Sequence, residues 1–375
     1  MRPLEGLLVL DFSQFLAGPS AALSLSDLGA RVVKVERPGV GDACRKLKIG
    51  NQELDTDSVL FHTINRNKES VVADLKDPVD LERVRRLIER ADVLIESFRP
   101  GIMARFGLDY AAASLLNPRL VYGSVSGYGA QGPWSEKPGQ DLLAQALSGL
   151  PWLNGHGQDP PLPLGLSVAD SFTGALLAQG ILACLCRRGA TGRGGLVEVS
   201  LMESVMDLQF EAFTAFLNDR GMLPRRAAAN GCNAFSAAPY GLYQTADGYL
   251  AIAMTPIPRL GLLLGIDALA RYDRPETWFQ ERDDILSVLA SHLRSASTKH
   301  WLEILEPADV WCAEVLDWPS LVAHDGFTAL DIVQEVTRTN GPTMTTTRCP
   351  IRIDGEILKS PLGAPRLGQN RGGLE

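Results

Sequence analysis

Leu7-Leu-Val-Leu-Asp-Phe12 is a nearly unbroken apolar run that leaves no polar stripe for solvent. A strand buried on both faces reads this way, and such strands belong to parallel sheets covered by helices. Ala17-Gly-Pro19 then turns the chain, Ser20 to Leu28 reads as a helix closed by Gly29, and Arg31-Val-Val-Lys-Val-Glu36 is a second strand. Strand, helix and strand in this order form a β-α-β unit, the mark of a parallel sheet. The alternation continues with strand 70–75, helix 78–91, strand 92–97, helix 109–116 and strand 120–126. Helices 138–150 and 170–187, strand 196–200 and a long helix to about Asn218 follow. The pattern predicts an α/β, doubly wound first domain over residues 1–220.

Beyond it the grammar changes. Gly221-Met-Leu-Pro-Arg-Arg-Ala-Ala-Ala-Asn-Gly231 is turn-rich and basic, a linker. Runs 240–244 and 249–254 flank Ala246-Asp-Gly248 as a hairpin, and helical patterns occupy about 260–305. A smaller α+β domain over 221–335 is expected, with residues 336–375 returning to the large domain through the strand-like Arg348-Cys-Pro-Ile-Arg-Ile353. A chain of 375 residues suits two domains, and 45% hydrophobic residues suffice for their cores.

Several function classes are disfavoured. A net charge of −8 argues against nonspecific nucleic-acid binding. The six cysteines and five histidines are scattered, so neither a zinc site nor a disulfide framework is indicated and no metal ligand is expected. The chain opens on a strand without a signal peptide and carries no uninterrupted apolar stretch of membrane-spanning length, so a soluble cytoplasmic protein is expected. The first βα turn, Ser13-Gln-Phe-Leu-Ala-Gly-Pro19, lacks the GxGxxG spacing of a dinucleotide fold. There is also no phosphate-loop motif and no Gly-x-Ser-x-Gly nucleophile elbow.

Asp170 opens the apolar, small-residue run that ends at Cys186. It is placed at a helix N-terminus, where free N–H groups and the helix dipole hold a carboxylate ionised and offer donors to an oxyanion. The same position suits a simple N-cap. Gly174, Ala175 and Ala178 beyond it allow either close approach of a ligand or tight helix packing. Arg37 follows the second strand, where a doubly wound sheet opens its binding crevice.

The order of motifs resembles the class III CoA-transferases, the CaiB/BaiF family that includes formyl-CoA transferase, carnitine CoA-transferase and α-methylacyl-CoA racemase. The matching segments are Pro3-Leu-Glu-Gly6, Leu10-Asp-Phe12, Leu16-Ala-Gly-Pro19, Leu28 to Gly39 with Gly41-Asp42, and Asn65-Arg-Asn-Lys-Glu-Ser70. Asp92 to Gly101, Asn117 to Gly129, Asp170 to Leu185, Thr191-Gly-Arg-Gly194 and Gly363 to Gly368 complete them. The resemblance implies a large Rossmann-like domain formed by both termini, an inserted smaller domain, and an interlocked homodimer of ring-shaped chains. It implies coenzyme A or acyl-CoA as a substrate rather than a resident cofactor, with a small carboxylic acid as the other partner.

By the same resemblance Asp170 is the nucleophile. It attacks the donor thioester to give a mixed anhydride, then becomes an aspartyl-CoA thioester, and the acceptor acid reverses the two steps. Asp141 matches an acidic position near the acyl intermediate; capping its own helix is the other reading. Leu16, Arg37, Lys68, Ser97, Phe98 and Arg105 match positions around the CoA nucleotide, with Arg66 and Arg99 as weaker candidates.

The racemase branch uses a His where this chain has Gln140 and a small-domain Glu where it has Thr255. An amide cannot serve as a general base at neutral pH, so transfer is favoured over racemisation. Asn230-Gly-Cys-Asn-Ala-Phe235 carries one glycine where formyl-CoA transferase has four, and Leu16 replaces its glutamine, which argues against formyl-CoA or oxalate. A dicarboxylic acceptor with succinyl-CoA as donor is expected. The alternatives are an acyl-CoA racemase with relocated bases, His156 being the feature to inspect, or a noncatalytic CoA-binding relative.

Overall fold

The computed structural model describes residues 2–219 and 225–370. Its contacts divide the chain into two compact units, one of residues 1–144, 167–208 and 329–375, the other of 145–166 and 209–328. The sequence division at 221 and 336 did not separate out 145–166, which holds the end of one helix and a short 3-10 turn and is otherwise irregular and rich in Pro and Gly. Residues 221–224 of the expected linker and the last five residues of the polar tail lie outside the described residues.

The first unit is built on six parallel strands: β1 (Leu8–Asp11), β2 (Arg31–Glu36), β3 (Glu69–Val72), β4 (Val93–Glu96), β5 (Val121–Ser126) and β6 (Gly195–Ser200). Their spatial order is β3-β2-β1-β4-β5-β6. The order reverses between β1 and β4, the switch point at which such sheets open a ligand crevice beyond the strand C-termini. The helices that bear on the site are α1 (Ala17–Asp27), α2 (Pro78–Arg90), α3 (Asp141–Ser148), α4 (Val168–Thr191) and α5 (Leu201–Leu208).

Local sequence accounts for these elements. In α2 the Asp77 carboxylate accepts from the N–H groups of Val79 and Asp80, Pro78 sits at the first position, and Val84, Leu87 and Ile88 form the buried stripe. α1 begins at Ala17, so the Ala17-Gly-Pro19 segment read as a turn is helical. Proline is tolerated there because first-turn N–H groups have no intrahelical partner. α3 begins later than expected, at Asp141, and the predicted long helix is two, Leu201–Leu208 and Phe210–Asn218.

β2 is buried from Val32 to Glu36 although it carries Lys34 and Glu36. Both charges are matched. Glu36 receives the Arg45 guanidinium through both carboxylate oxygens at 2.7 and 2.8 Å, and Lys34 lies 2.9 Å from Asp42. The chain's return is tied in by Arg338, which pairs with Asp57 and, at 3.0 Å, with Asp55. Arg338 sits in the turn of an antiparallel hairpin, Val333–Thr337 with Thr343–Thr347, that the sequence reading missed. Its threonine-rich second strand shows no apolar alternation. The predicted strand 348–353 is reduced to Arg352–Ile353.

The second unit holds a three-stranded antiparallel sheet of Gly241–Gln244, Tyr249–Ile252 and Cys312–Glu314, the first two forming the expected hairpin. Tyr243, Leu250 and Ile252 pack against the helices Ile257–Leu264, Arg282–Leu293 and Thr298–Leu305.

Candidate active site

Asp170 is the third residue of α4, not its cap; Ser167 occupies the cap position and gives no side-chain hydrogen bond. Its own backbone N–H donates to Asp141 Oδ1 at 3.0 Å. The carboxyl is half-buried and its pKa is raised to about 7, first by burial and then by the neighbouring Asp141 charge. The expectation that the helix terminus holds Asp170 ionised is therefore corrected. Loss of hydration and a second carboxylate outweigh the dipole.

Asp141 is delivered by a backbone-on-backbone contact. Gly127 follows β5 and Gly139 precedes Asp141; a Cβ on Gly139 would lie 2.5 Å from the Gly127 Cα, and one on Gly127 2.6 Å from the Gly139 Cα. Only two glycines permit this approach. Asp141 opens α3, so its charge suits that helix's dipole, yet the N–H it accepts belongs to α4.

α4 packs along α1. A Cβ on Gly174 would fall 2.1 Å from Ser20 Oγ and 2.7 Å from the Ala17 carbonyl oxygen. Gly174 and the buried Ala178 thus serve helix packing, while Ala175 is exposed. Both helices start at the C-terminal edge of the parallel sheet, so Asp170 and the start of α1 share one end. Leu16, at the α1 cap position, gives no side-chain cap and packs with Cys44, Phe61, Ile64 and Ala364.

Beyond the C-terminal ends of β1 to β4 lies a cavity of about 320 Å³. Phe12, Val35, Leu75, Phe98 and Phe106 give it apolar walls, and the exposed side chains of Arg37 and Lys76 give it cations. An apolar slot with guanidinium and ammonium groups suits a purine bearing phosphates. Arg37 and Phe98, both named from the sequence, line this cavity. Ser97 supports the cavity from behind, its Oγ accepting the Gln14 N–H at 3.0 Å. Arg105 is exposed and lines neither this cavity nor a neighbouring one of about 400 Å³, which Arg99 and Phe98 border. Lys76, Leu75 and Phe106 were missed. The rule that singled out Arg37, a cation just past a strand's C-terminal end, would have found Lys76 after β3.

Lys68 departs from its expected role. Its side chain is fully enclosed, and its ammonium donates to Asp11 Oδ2 (2.9 Å), the Pro19 carbonyl (2.8 Å) and Asn65 Oδ1 (2.9 Å). All its donors are spent inside the fold. Burial, only partly offset by Asp11, brings its pKa down to about 8. Asp11 in turn is pushed up by burial but brought down to about 2 by Lys34 and Lys68. Arg66 is likewise buried, in a two-point pair with Asp27.

Gln140 is exposed, and its carbonyl accepts from Leu143 and Ala144 at 3.0 Å each as α3 begins. Thr255 is buried within the second unit. His156, also there, is an exposed loop residue whose backbone N–H donates to Asp159 at 2.7 Å. Among the described residues no group of three or more His, Cys, Asp or Glu is arranged to hold a metal ion.

The model of CoA-transferase family III matches residues 4–371. Succinyl-CoA:glutarate CoA-transferase of Mus musculus is 33% identical over 316 residues, 83% of this chain and 71% of that one. Succinate–glutarate CoA-transferase of Agrobacterium fabrum is 30% identical over 381 residues, 98% and 94% of the two chains. The crystal structure of a CaiB/BaiF family protein from Brucella suis superposes with a TM-score of 0.84 at 30% identity, covering 100% of this chain and 98% of the other. With its parallel sheet and motif order matched from end to end, the chain belongs to CoA-transferase family III.

Proposed function

We propose that this enzyme moves CoA from an acyl-CoA donor to a small carboxylic acid, with Asp170 as the nucleophile. The observation that carries the reading is the state of that carboxyl. It is half-buried at the first turn of α4 with a pKa raised to about 7. A carboxylate of ordinary pKa is a weak nucleophile; one stripped of water and raised toward neutrality attacks better and is still about half ionised near pH 7.

The electron flow balances over four steps. The Asp170 carboxylate attacks the donor's thioester carbonyl and expels CoA thiolate, leaving an aspartyl–acyl anhydride. The thiolate attacks the aspartyl carbonyl and releases the donor's carboxylate, leaving an aspartyl-CoA thioester. The acceptor carboxylate attacks that thioester, expels the thiolate and forms a new anhydride. The thiolate then takes the new acyl group and regenerates Asp170. No net proton or electron is consumed.

Arg37 and Lys76 are assigned to the nucleotide's phosphates, with Phe98, Leu75 and Phe106 against the base. Two relatives are named for succinyl-CoA or succinate with glutarate, which supports succinyl-CoA as donor and a dicarboxylate as acceptor here. The working form is proposed to be an interlocked homodimer with the second unit inserted in the first.

The test is intact-protein mass spectrometry with succinyl-CoA and hydroxylamine trapping, on wild type and Asp170→Ala. A modification mapped to Asp170 and missing from the variant is expected. No modification in wild type, together with deuterium exchange at the acyl α-carbon, would sink the transfer route.

A further inference from the structure

Phe15 has a φ of 64°. The left-handed region is strained for any side chain and rare for a bulky aromatic, so it persists only where surrounding contacts impose it. Here they do. Ser13 is gripped at its N–H by Asp11 Oδ1 (3.0 Å) and at its carbonyl by Lys34 (2.8 Å). The Gln14 N–H is taken by Ser97 Oγ, and the Phe15 N–H donates to Asp42 Oδ1 at 3.2 Å. Asp42 is itself fixed. It is 2% exposed, lies 2.9 Å from the Lys34 ammonium and accepts the Cys44 N–H at 2.9 Å. Every residue from Ser13 to Phe15 is thus held by a side chain from the first unit, Asp11, Lys34 and Asp42 buried and Ser97 half-buried.

This grip leaves the Phe15 side chain 53% exposed. An apolar ring held in solvent by a strained backbone satisfies no packing requirement of its own. Its place gives it one. Phe15 lies two residues before Ala17, whose carbonyl touches Gly174, and Gly174 is one helical turn, roughly 6 Å, beyond Asp170. Since α1 and α4 start at the same edge of the sheet, Phe15 lies at the same end of the first unit as Asp170.

We propose that Phe15 is a water-excluding wall for the activated aspartyl intermediates, and that Asp42 is the positioning residue that holds it there. The inference rests on the transferase reading. Its chemistry is a partition: an aspartyl–acyl anhydride attacked by CoA thiolate, or an aspartyl-CoA thioester attacked by the acceptor carboxylate, keeps the acyl group activated. Attack by water instead forms the acid and returns Asp170 as carboxylate, so the net reaction is acyl-CoA plus water giving acid plus free CoA thiol. Asp42 also borders the cavity proposed for the nucleotide, so the group that shapes the turn stands next to the donor's proposed site.

Three variants test this, each assayed for transfer from succinyl-CoA to glutarate, for thiol release without acceptor, and for thermal unfolding. Phe15→Gly removes both ring and strain. It is expected to unfold at or above the wild-type temperature while transfer slows about tenfold or more and thiol release takes a larger share. Phe15→Leu restores an apolar wall on the same strained backbone and is expected to recover most of the transfer. Asp42→Asn keeps the acceptor oxygen, loses the charge facing Lys34, and is expected to raise the thiol-release share as Phe15→Gly does. A merely structural role would lower stability and transfer together. Phe15→Gly that transfers at the wild-type rate with unchanged thiol release, or that loses transfer only as it loses fold, overturns the proposal. Trapping at Asp170 in wild type is run alongside; if no adduct forms there, the transferase reading fails and the wall falls with it.

Discussion

The N–H that Asp141 accepts, at 3.0 Å, is the backbone donor of Asp170 itself, so the residue that raises the Asp170 pKa is fixed to Asp170's own peptide. The two residues cannot drift apart without breaking that hydrogen bond. Asp141→Asn keeps an acceptor for that N–H and removes the charge. The lower limb of the kcat/KM profile, which reports Asp170 ionising, is expected to move from about pH 7 to lower pH in this variant. An unmoved limb would show that burial alone sets the Asp170 pKa.

Asp170→Asn should abolish transfer, by on the order of a thousandfold or more, and yet stabilise the fold. The sign follows from linkage. A carboxyl whose folded pKa is raised binds more protons folded than unfolded between pH 4 and 7, so its contribution to stability is lost as pH rises through about 7. The wild type therefore carries at pH 8 a penalty on the order of 2 kcal/mol, after allowance for partial exposure, that the amide lacks. Denaturant unfolding at pH 8 should favour Asp170→Asn, and the difference should vanish near pH 4.

The succession of buried strands and helices, and the placing of Asp170 in the first turn of a helix, were legible because each rests on local pattern. Buried parallel strands announce themselves as apolar runs, and an acidic residue opening a small-residue helix is visible in one dimension. What failed depended on burial. Lys68 and Arg37 are both cations near strand ends, and only the fold shows that one is enclosed with Asp11 while the other faces the crevice. The Asp170 pKa was read with the wrong sign because a helix terminus is local and desolvation is not. The threonine-rich hairpin at 333–347 escaped for want of apolar alternation.

Arg37 and Lys68 separate binding from folding. Arg37→Ala and Lys76→Ala are each expected to raise KM for the acyl-CoA by about tenfold with little change in kcat, and to leave stability within about 0.5 kcal/mol. Lys68→Met strands the buried Asp11 with half its countercharge and should destabilise by about 3–5 kcal/mol. Steady-state kinetics and urea unfolding on the three variants decide it. A Lys68 variant of wild-type stability with weakened CoA binding would return that lysine to the ligand.

Gly174→Ala places a methyl 2.1 Å from Ser20 Oγ and 2.7 Å from a backbone oxygen. The hydroxyl can rotate away but the carbonyl cannot, so α1 and α4 must separate. A loss of about 1–3 kcal/mol is expected in urea unfolding, only partly recovered by Ser20→Ala. Because the separation occurs one turn from Asp170, kcat should fall even where the variant remains folded.

The crossing of Gly127 over Gly139 has a bearing on how such an enzyme can change. Where two points of a chain touch, whatever lies between them begins and ends at one place. The stretch 128–138 can lengthen, shorten or be rewritten without moving Asp141, because its reach is set at the crossing and not along the excursion. Variation there leaves the pairing of Asp141 with Asp170 still. Variation at either glycine is barred, since one side chain at that point would part the strand end from the helix that Asp141 opens.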